Sequence, residues 1–63
     1  MTAKELAKVM GDQFIAVGMK GYGRMIYSGR ADKFSHCVIE NQKVLEVIAP
    51  KDQYSATIIW VQG

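Results

Sequence analysis

The sequence has few of the residues that usually stabilise a very small domain: it holds one cysteine, one histidine and one proline in 63 residues. A single cysteine, Cys37, cannot form an intramolecular disulfide, and a lone thiol is typical of proteins in a reducing compartment. One histidine and one cysteine cannot supply the four ligands of a structural zinc site. We therefore expect a cytoplasmic protein that uses neither a metal nor a cofactor.

Long apolar runs are missing as well. The first residues, MTAKELAKVMG, lack the continuous apolar core of a signal peptide. No run approaches the roughly 20 apolar residues that a transmembrane helix needs, so we expect no membrane association. We expect a single domain over residues 1–63. A chain of this length buries only about 60% of its unfolded surface, and self-association is the remaining way to stabilise so thin a core.

The N-terminal residues carry the signals of a short helix. Thr2 and Glu5 have the spacing of a capping box, in which each side chain accepts a hydrogen bond from the other residue's amide. Apolar residues then recur at helical spacing at Ala3, Leu6, Ala7 and Met10. Gly11 is a typical helix stop. A helix this short is not stable alone, so it must dock on other elements.

Four apolar stretches, residues 14–17, 24–27, 44–49 and 56–61, predict β-strands. Residues 37–39 predict a fifth, brief strand. The segment GMKGYG between the first two strands is typical of a hairpin connection. We therefore predict an α+β fold, with one N-terminal helix packed on a small, mainly antiparallel sheet of four to five strands.

The last two long strands are apolar on both faces. In strand 44–49, alternation places Leu45, Val47 and Ala49 on one face and Val44 and Ile48 on the other. In strand 56–61, it separates Ile59 and Val61 from Ile58 and Trp60. Such strands are usually buried on both faces, yet one short helix covers only one. We expect the second face to meet another chain, in a homodimer or with a foreign protein. The alternative is ordinary exposure of apolar residues on a small domain.

Two arrangements that suggest catalysis or nucleotide binding have simpler interpretations. Gly18, Gly21 and Gly23 read G-x-x-G-x-G and precede a strand, whereas a dinucleotide loop needs G-x-G-x-x-G before a helix. His36 and Cys37 are adjacent, so on a strand their side chains point to opposite faces. We interpret Cys37 as a small buried residue. A domain of this size has little room for a deep pocket, and we expect no enzyme activity.

The positive charge is concentrated in one segment. Residues 18–36 hold four cations and one carboxylate, a local balance of +3, whereas the rest of the chain sums to −1. Cations and aromatic residues of this segment, with Trp60, form the candidate partner-binding set: Lys20, Tyr22, Arg24, Tyr27, Arg30, Lys33 and Trp60. Alternation in strand 24–27 predicts Arg24 and Ile26 on one face, and Met25 and Tyr27 on the other.

Three interpretations of this basic segment stay open. It is a solvated rim, a protein contact in which arginine and aromatic residues are the natural anchors, or a nucleic-acid contact that pairs cations with phosphates and rings with bases. The net charge of only +2 and the lack of a recognised nucleic-acid-binding module favour protein over nucleic acid.

Four segments show a further pattern: TAKELAKVMGD, QFIAV, MIYSGRADKF and KVLEVIAPKDQYSATIIWV. Together they resemble the small uncharacterised α+β proteins of phages and prophages of Gram-positive bacteria. The resemblance implies an accessory protein that binds and sterically inhibits a host or defence protein, and it transfers no individual site residue. Some proteins of this kind are acidic mimics of DNA, but this chain is not acidic, which argues against that mechanism.

Overall fold

The computed structural model describes residues 1–63 and contains one α-helix and four β-strands. The elements are α1 (Ala3–Met10), β1 (Phe14–Met19), β2 (Arg24–Arg30), β3 (Val44–Ile48) and β4 (Thr57–Val61). Two single 3-10 turns, Ala31–Lys33 and Ile39–Asn41, lie between β2 and β3. The predicted α+β fold is confirmed, with four strands. No helix has the length and apolar character needed to cross a bilayer.

Helix α1 begins at the predicted capping box. The Thr2 hydroxyl accepts a hydrogen bond from the Glu5 amide at 3.2 Å, and the Glu5 carboxylate accepts one from the Thr2 amide at 2.9 Å. The Thr2 amide, and after it the Thr2 hydroxyl, which donates to the same carboxylate oxygen at 3.1 Å, stabilise the ionised form and lower the pKa of Glu5 below its usual value. The helix ends at Gly11, which has a φ of 66°. Ala3 and Ala7 of the predicted apolar face are buried.

The four strands form one mixed sheet in the order β2-β1-β4-β3. The hairpin β1–β2 and the hairpin β3–β4 are antiparallel, and the central pair β1–β4 is parallel. Two of the three pairings are therefore antiparallel, as predicted. Strands β2 and β3 are the edges, so the basic segment lies along one edge of the sheet.

The core lies on one side of the sheet. Ile15 and Val17 of β1 and Ile59 and Val61 of β4 have no solvent exposure. The residues that pack on them come from α1 and from the two 3-10 turns: Ala3, Ala7, Ala31 and Ile39. All helical elements thus cover the same face of the sheet, which we call the core side.

The strand predicted over residues 37–39 is wrong, because this segment is a turn that leads into a 3-10 turn. The His36 side chain explains the difference. Its Nδ1 accepts hydrogen bonds from the amides of Val38 at 3.2 Å and Ile39 at 3.3 Å. A side chain that binds the amides two and three residues ahead folds the chain back on itself and competes with a sheet ladder.

A β-bulge corrects the predicted faces of β3. Between Val44 and Glu46 the register shifts, so that Leu45 is an extra residue. Val44 and Val47 consequently lie opposite Val61 and Ile59 on the core side, and are not on opposite faces as predicted. Glu46 and Ile48 lie opposite Trp60 and Ile58 on the other side. The predicted separation of Ile59 and Val61 from Ile58 and Trp60 is confirmed.

A second bulge corrects the predicted faces of β2. Val17 lies opposite Tyr27, but the next residue of β1, Gly18, lies opposite Met25. Ile26 is therefore the extra residue of β2. Met25 and Tyr27 lie on opposite faces of the sheet, whereas simple alternation placed them on the same face. Tyr27 and Ile26 both pack against the core.

Candidate protein-binding surface

The sheet face turned away from the helix carries a row of apolar residues across three strands. Ala16, Ile58 and Ile48 are neighbours in the register of β1, β4 and β3. Phe14 precedes this row on β1, and Trp60 follows it on β4. We call these five residues the open face. Phe14 is 63% exposed and Ile48 is 41% exposed, and the other three are partly buried.

Trp60 is held in place on the open face by three neighbours. It lies opposite Gly18 in the parallel pairing, and its ring fills the space where a side chain at Gly18 would stand. The Lys20 ammonium group lies 5.7 Å from the centre of the ring, in the range of a cation–π contact. The same ammonium group bonds to Glu46 Oε1 at 2.9 Å. Trp60 is therefore a preordered aromatic residue at the margin of the open face.

Two of the four cations in the basic segment are engaged by carboxylates of the chain itself. Lys20 pairs with Glu46, and Arg30 makes a two-point contact with Asp32, at 2.6 Å and 3.1 Å. The hydrogen bond to Asp32, and then its charge, raise the pKa of the Arg30 guanidinium. These pairs are partly exposed, so each contributes little to stability. They do neutralise half of the cations that the basic segment would offer to a partner.

The two candidate tyrosines have different surroundings. The Tyr27 hydroxyl donates a hydrogen bond to the Arg30 carbonyl oxygen at 2.6 Å. Its ring packs edge-on against Phe34, with the centroids 5.0 Å apart. Tyr22, in the turn between β1 and β2, is 68% exposed and has no hydrogen bond through its hydroxyl. Tyr27 is therefore a packing residue, whereas Tyr22 is free to contact a partner.

A shallow depression of about 400 Å³ lies where the β1–β2 hairpin meets the 34–38 segment. We call it the hairpin groove, and its lining is Met19, Tyr22, Arg24, Met25, Ile26, His36 and Val38. Five of these seven residues are hydrophobic. Arg24 makes no ion pair within the chain.

The structure distributes the predicted partner-binding set over three places. Tyr22 and Arg24 line the hairpin groove, and Lys20 lies over Trp60 at the open face. The remaining three belong to the β2 edge and the 3-10 turn after it: Tyr27, Arg30 and Lys33. Charge and aromatic character identified Tyr22, Arg24, Lys20 and Trp60 from the sequence. The same criteria could not find Met25 or Val38, whose exposure depends on the fold, and Phe14 is aromatic but lies outside the basic segment to which they were applied.

Cys37 is exposed, which corrects its interpretation as a buried residue. The prediction failed because residues 37–39 form a turn in which only Ile39 points into the core. No three His, Cys, Asp or Glu side chains lie close enough together to hold a metal ion.

Comparison of the chain with protein-family models, with curated proteins and with solved structures gives no match. The resemblance to phage and prophage proteins therefore stays a prediction from the sequence.

Proposed function

We propose that this chain is a non-enzymatic protein-binding module. The open face is the observation that supports this proposal. One side of the sheet is packed by the helix and the 3-10 turns, while the other leaves Phe14 and Ile48 exposed on the same face as Ile58 and Trp60. A contiguous apolar surface beside an ordered tryptophan is typical of protein-binding sites.

A second copy of the chain is the first partner that we propose for the open face. The domain has only eight buried hydrophobic residues, and a homodimer would remove the exposed apolar row from water. A standard interface buries about 800 Å² on each partner, a substantial share of the 4282 Å² surface of this chain. Burial on that scale would add a second apolar layer to a thin core.

Sedimentation of the wild type and two variants tests the homodimer. Ile48→Lys places a charge on the open face at an exposed position, so the fold should persist. Val9→Lys is the matched control, because Val9 is an exposed apolar residue on α1, 74% accessible. We expect a dimer for the wild type and for Val9→Lys, and a monomer for Ile48→Lys. A wild-type monomer at high micromolar concentration would refute the homodimer.

The phage resemblance suggests the biological use of the module: it binds a host or defence protein and blocks that protein's site sterically. The same two variants test this use. We expect the wild type and Val9→Lys to capture and inhibit a bacterial protein from a host lysate, and Ile48→Lys to lose both effects. If Ile48→Lys still inhibits the bacterial protein, the inhibitory contact lies outside the open face.

Nucleic-acid binding through residues 18–34 is the alternative. The engagement of Lys20 by Glu46 and of Arg30 by Asp32 reduces the free positive charge of this segment and supports protein as the partner. A salt titration with a generic single-stranded oligonucleotide separates the two functions. Binding that weakens steeply with salt would favour nucleic acid, and no binding at low salt would eliminate it.

A further inference from the structure

The hairpin groove combines an apolar lining with hydrogen-bond donors. Its apolar surface comes from Met19, Met25, Ile26 and Val38. No aspartate or glutamate lines it. The groove thus offers N–H groups and apolar surface, and no carboxylate of its own.

His36 also lines the groove. Its Nδ1 accepts the amide hydrogens of Val38 and Ile39, so it carries no proton of its own. The proton of the neutral ring is therefore on Nε2, which is a hydrogen-bond donor. The two backbone bonds also fix the orientation of the ring at the groove.

Arg24 contributes the charge. Lys20 and Arg30 are each engaged by a carboxylate of the chain, at 2.9 Å and 2.6 Å, but Arg24 has no such partner. It is exposed at the start of β2, beside the exposed Tyr22. A guanidinium group is geometrically matched to a carboxylate, which it binds through two parallel hydrogen bonds.

From this charge complementarity we propose that the hairpin groove binds a short peptide segment of a partner protein, in which a carboxylate stands next to aliphatic or aromatic side chains. The carboxylate lies on Arg24, and the apolar neighbours lie on Met19, Met25 and Ile26. Methionine side chains adapt to different apolar shapes, so the groove selects for the acid more strongly than for one particular neighbour. This proposal rests on the protein-binding function above but uses a surface other than the open face.

A peptide pair tests the proposal directly. Both probes are blocked pentapeptide mixtures with Leu, Ile, Met, Phe and Tyr at the four outer positions, and they differ only in a central Glu or Gln. Binding is followed by the amide chemical shifts of the ¹⁵N-labelled protein. We expect the Glu mixture to shift the groove residues and to bind about tenfold more tightly than the Gln mixture, as for a two-point, charge-assisted hydrogen bond between a guanidinium group and a carboxylate.

Two variants complete the test. Arg24→Gln should weaken binding of the Glu mixture about tenfold and leave the Gln mixture unchanged, because only the first loses a charge pair. Lys51→Gln is the matched control, since Lys51 is also exposed and without an ion pair, lies in the loop before β4 and does not line the groove. It should leave both affinities unchanged.

The proposal would be overturned by equal affinity for the two mixtures, by no binding of either mixture at millimolar concentration, or by shifts confined to the open face. If a single-stranded oligonucleotide changes the amide chemical shifts of the groove residues and neither peptide mixture does, Arg24 binds phosphate. This result would also overturn the peptide proposal. Sedimentation of Ile48→Lys is independent of all these measurements. Failure of the groove proposal is therefore distinguishable from failure of the open-face dimer.

Discussion

The ring of Trp60 occupies the space above Gly18, its partner in the parallel pairing of β1 and β4. A Cβ at position 18 would stand 2.7 Å from Cζ3 of Trp60 and 2.6 Å from the carbonyl oxygen of Arg24. Real Cβ atoms do not approach other atoms this closely. Packing therefore requires glycine at position 18, because the backbone of β2 lies on one side of it and the indole of Trp60 on the other. This explains the first glycine of the glycine-rich segment.

We expect Gly18→Ala to lower the free energy of unfolding by about 1–3 kcal/mol, the usual cost of adding a methyl group to a tightly packed site. The Trp60 ring can shift, but the Arg24 carbonyl belongs to the sheet ladder. Urea denaturation followed by tryptophan fluorescence measures the loss. The same experiment should show a changed native emission spectrum, because Trp60 is the single tryptophan of the chain.

Gly21→Ala is the matched control for this substitution. A Cβ at Gly21 has no atom within 4 Å, and the residue does not have a positive φ. We expect a change in stability within about 0.5 kcal/mol, as for most surface substitutions. Equal losses in the two variants would contradict the packing role of Gly18.

The capping box predicts a pH dependence of stability. The bonds from Thr2 lower the pKa of Glu5 below its usual value of 4.5, so the folded state binds a proton less readily than the unfolded state. The stabilisation is present above the unfolded pKa and is lost as the pH falls through the folded pKa. We expect the wild type to exceed Glu5→Gln in thermal stability at pH 7, with a difference that shrinks below pH 4.5. A difference that is constant across this range would contradict the ionic contribution of Glu5.

The parts of the fold that depend on residues close together in the sequence could be predicted. The bonds of Thr2 and Glu5 span three residues, and the buried face of α1 follows from helical spacing alone. The faces of β2 and β3 could not be predicted, because Ile26 and Leu45 are bulge residues. A bulge is set by the pairing with another strand, and simple alternation does not reveal it.

The candidate surface was predictable to a similar extent. Tyr22, in a turn rich in glycine, and Arg24, at the start of the strand after it, stand out by residue type, and both line the hairpin groove. The bond between Lys20 and Glu46 joins residues 26 apart in the chain. The spacing of Lys20 and Glu46 in the sequence does not indicate this bond. The charge counted from the sequence therefore overstates the positive charge that the basic segment leaves free.

Ile39 was predicted to lie in a strand, but the structure places it in a 3-10 turn that packs on the core. Truncation of its side chain tests this placement. Ile39 has no solvent exposure, so Ile39→Ala should lower the free energy of unfolding by about 2–5 kcal/mol, through lost burial and the cavity left behind. Val38→Ala is the control, because the neighbouring Val38 is 51% exposed. Urea denaturation of both variants measures the contrast. Similar losses would mean that the segment does not place Ile39 in the core.

Tyr27 and Tyr22 allow a last test, which separates a packing tyrosine from a contact tyrosine. Tyr27→Phe removes the hydrogen bond to the Arg30 carbonyl oxygen and should lower the free energy of unfolding by about 0.5–1.5 kcal/mol. Tyr22→Phe removes an exposed hydroxyl and should change it by no more than about 0.5 kcal/mol. The peptide mixtures used for the hairpin groove give the second readout. Tyr27→Phe should leave peptide affinity unchanged, whereas Tyr22→Ala, which removes a lining ring, should weaken it. If Tyr27→Phe weakens peptide binding without a change in stability, Tyr27 is a contact residue and its bond to Arg30 is incidental.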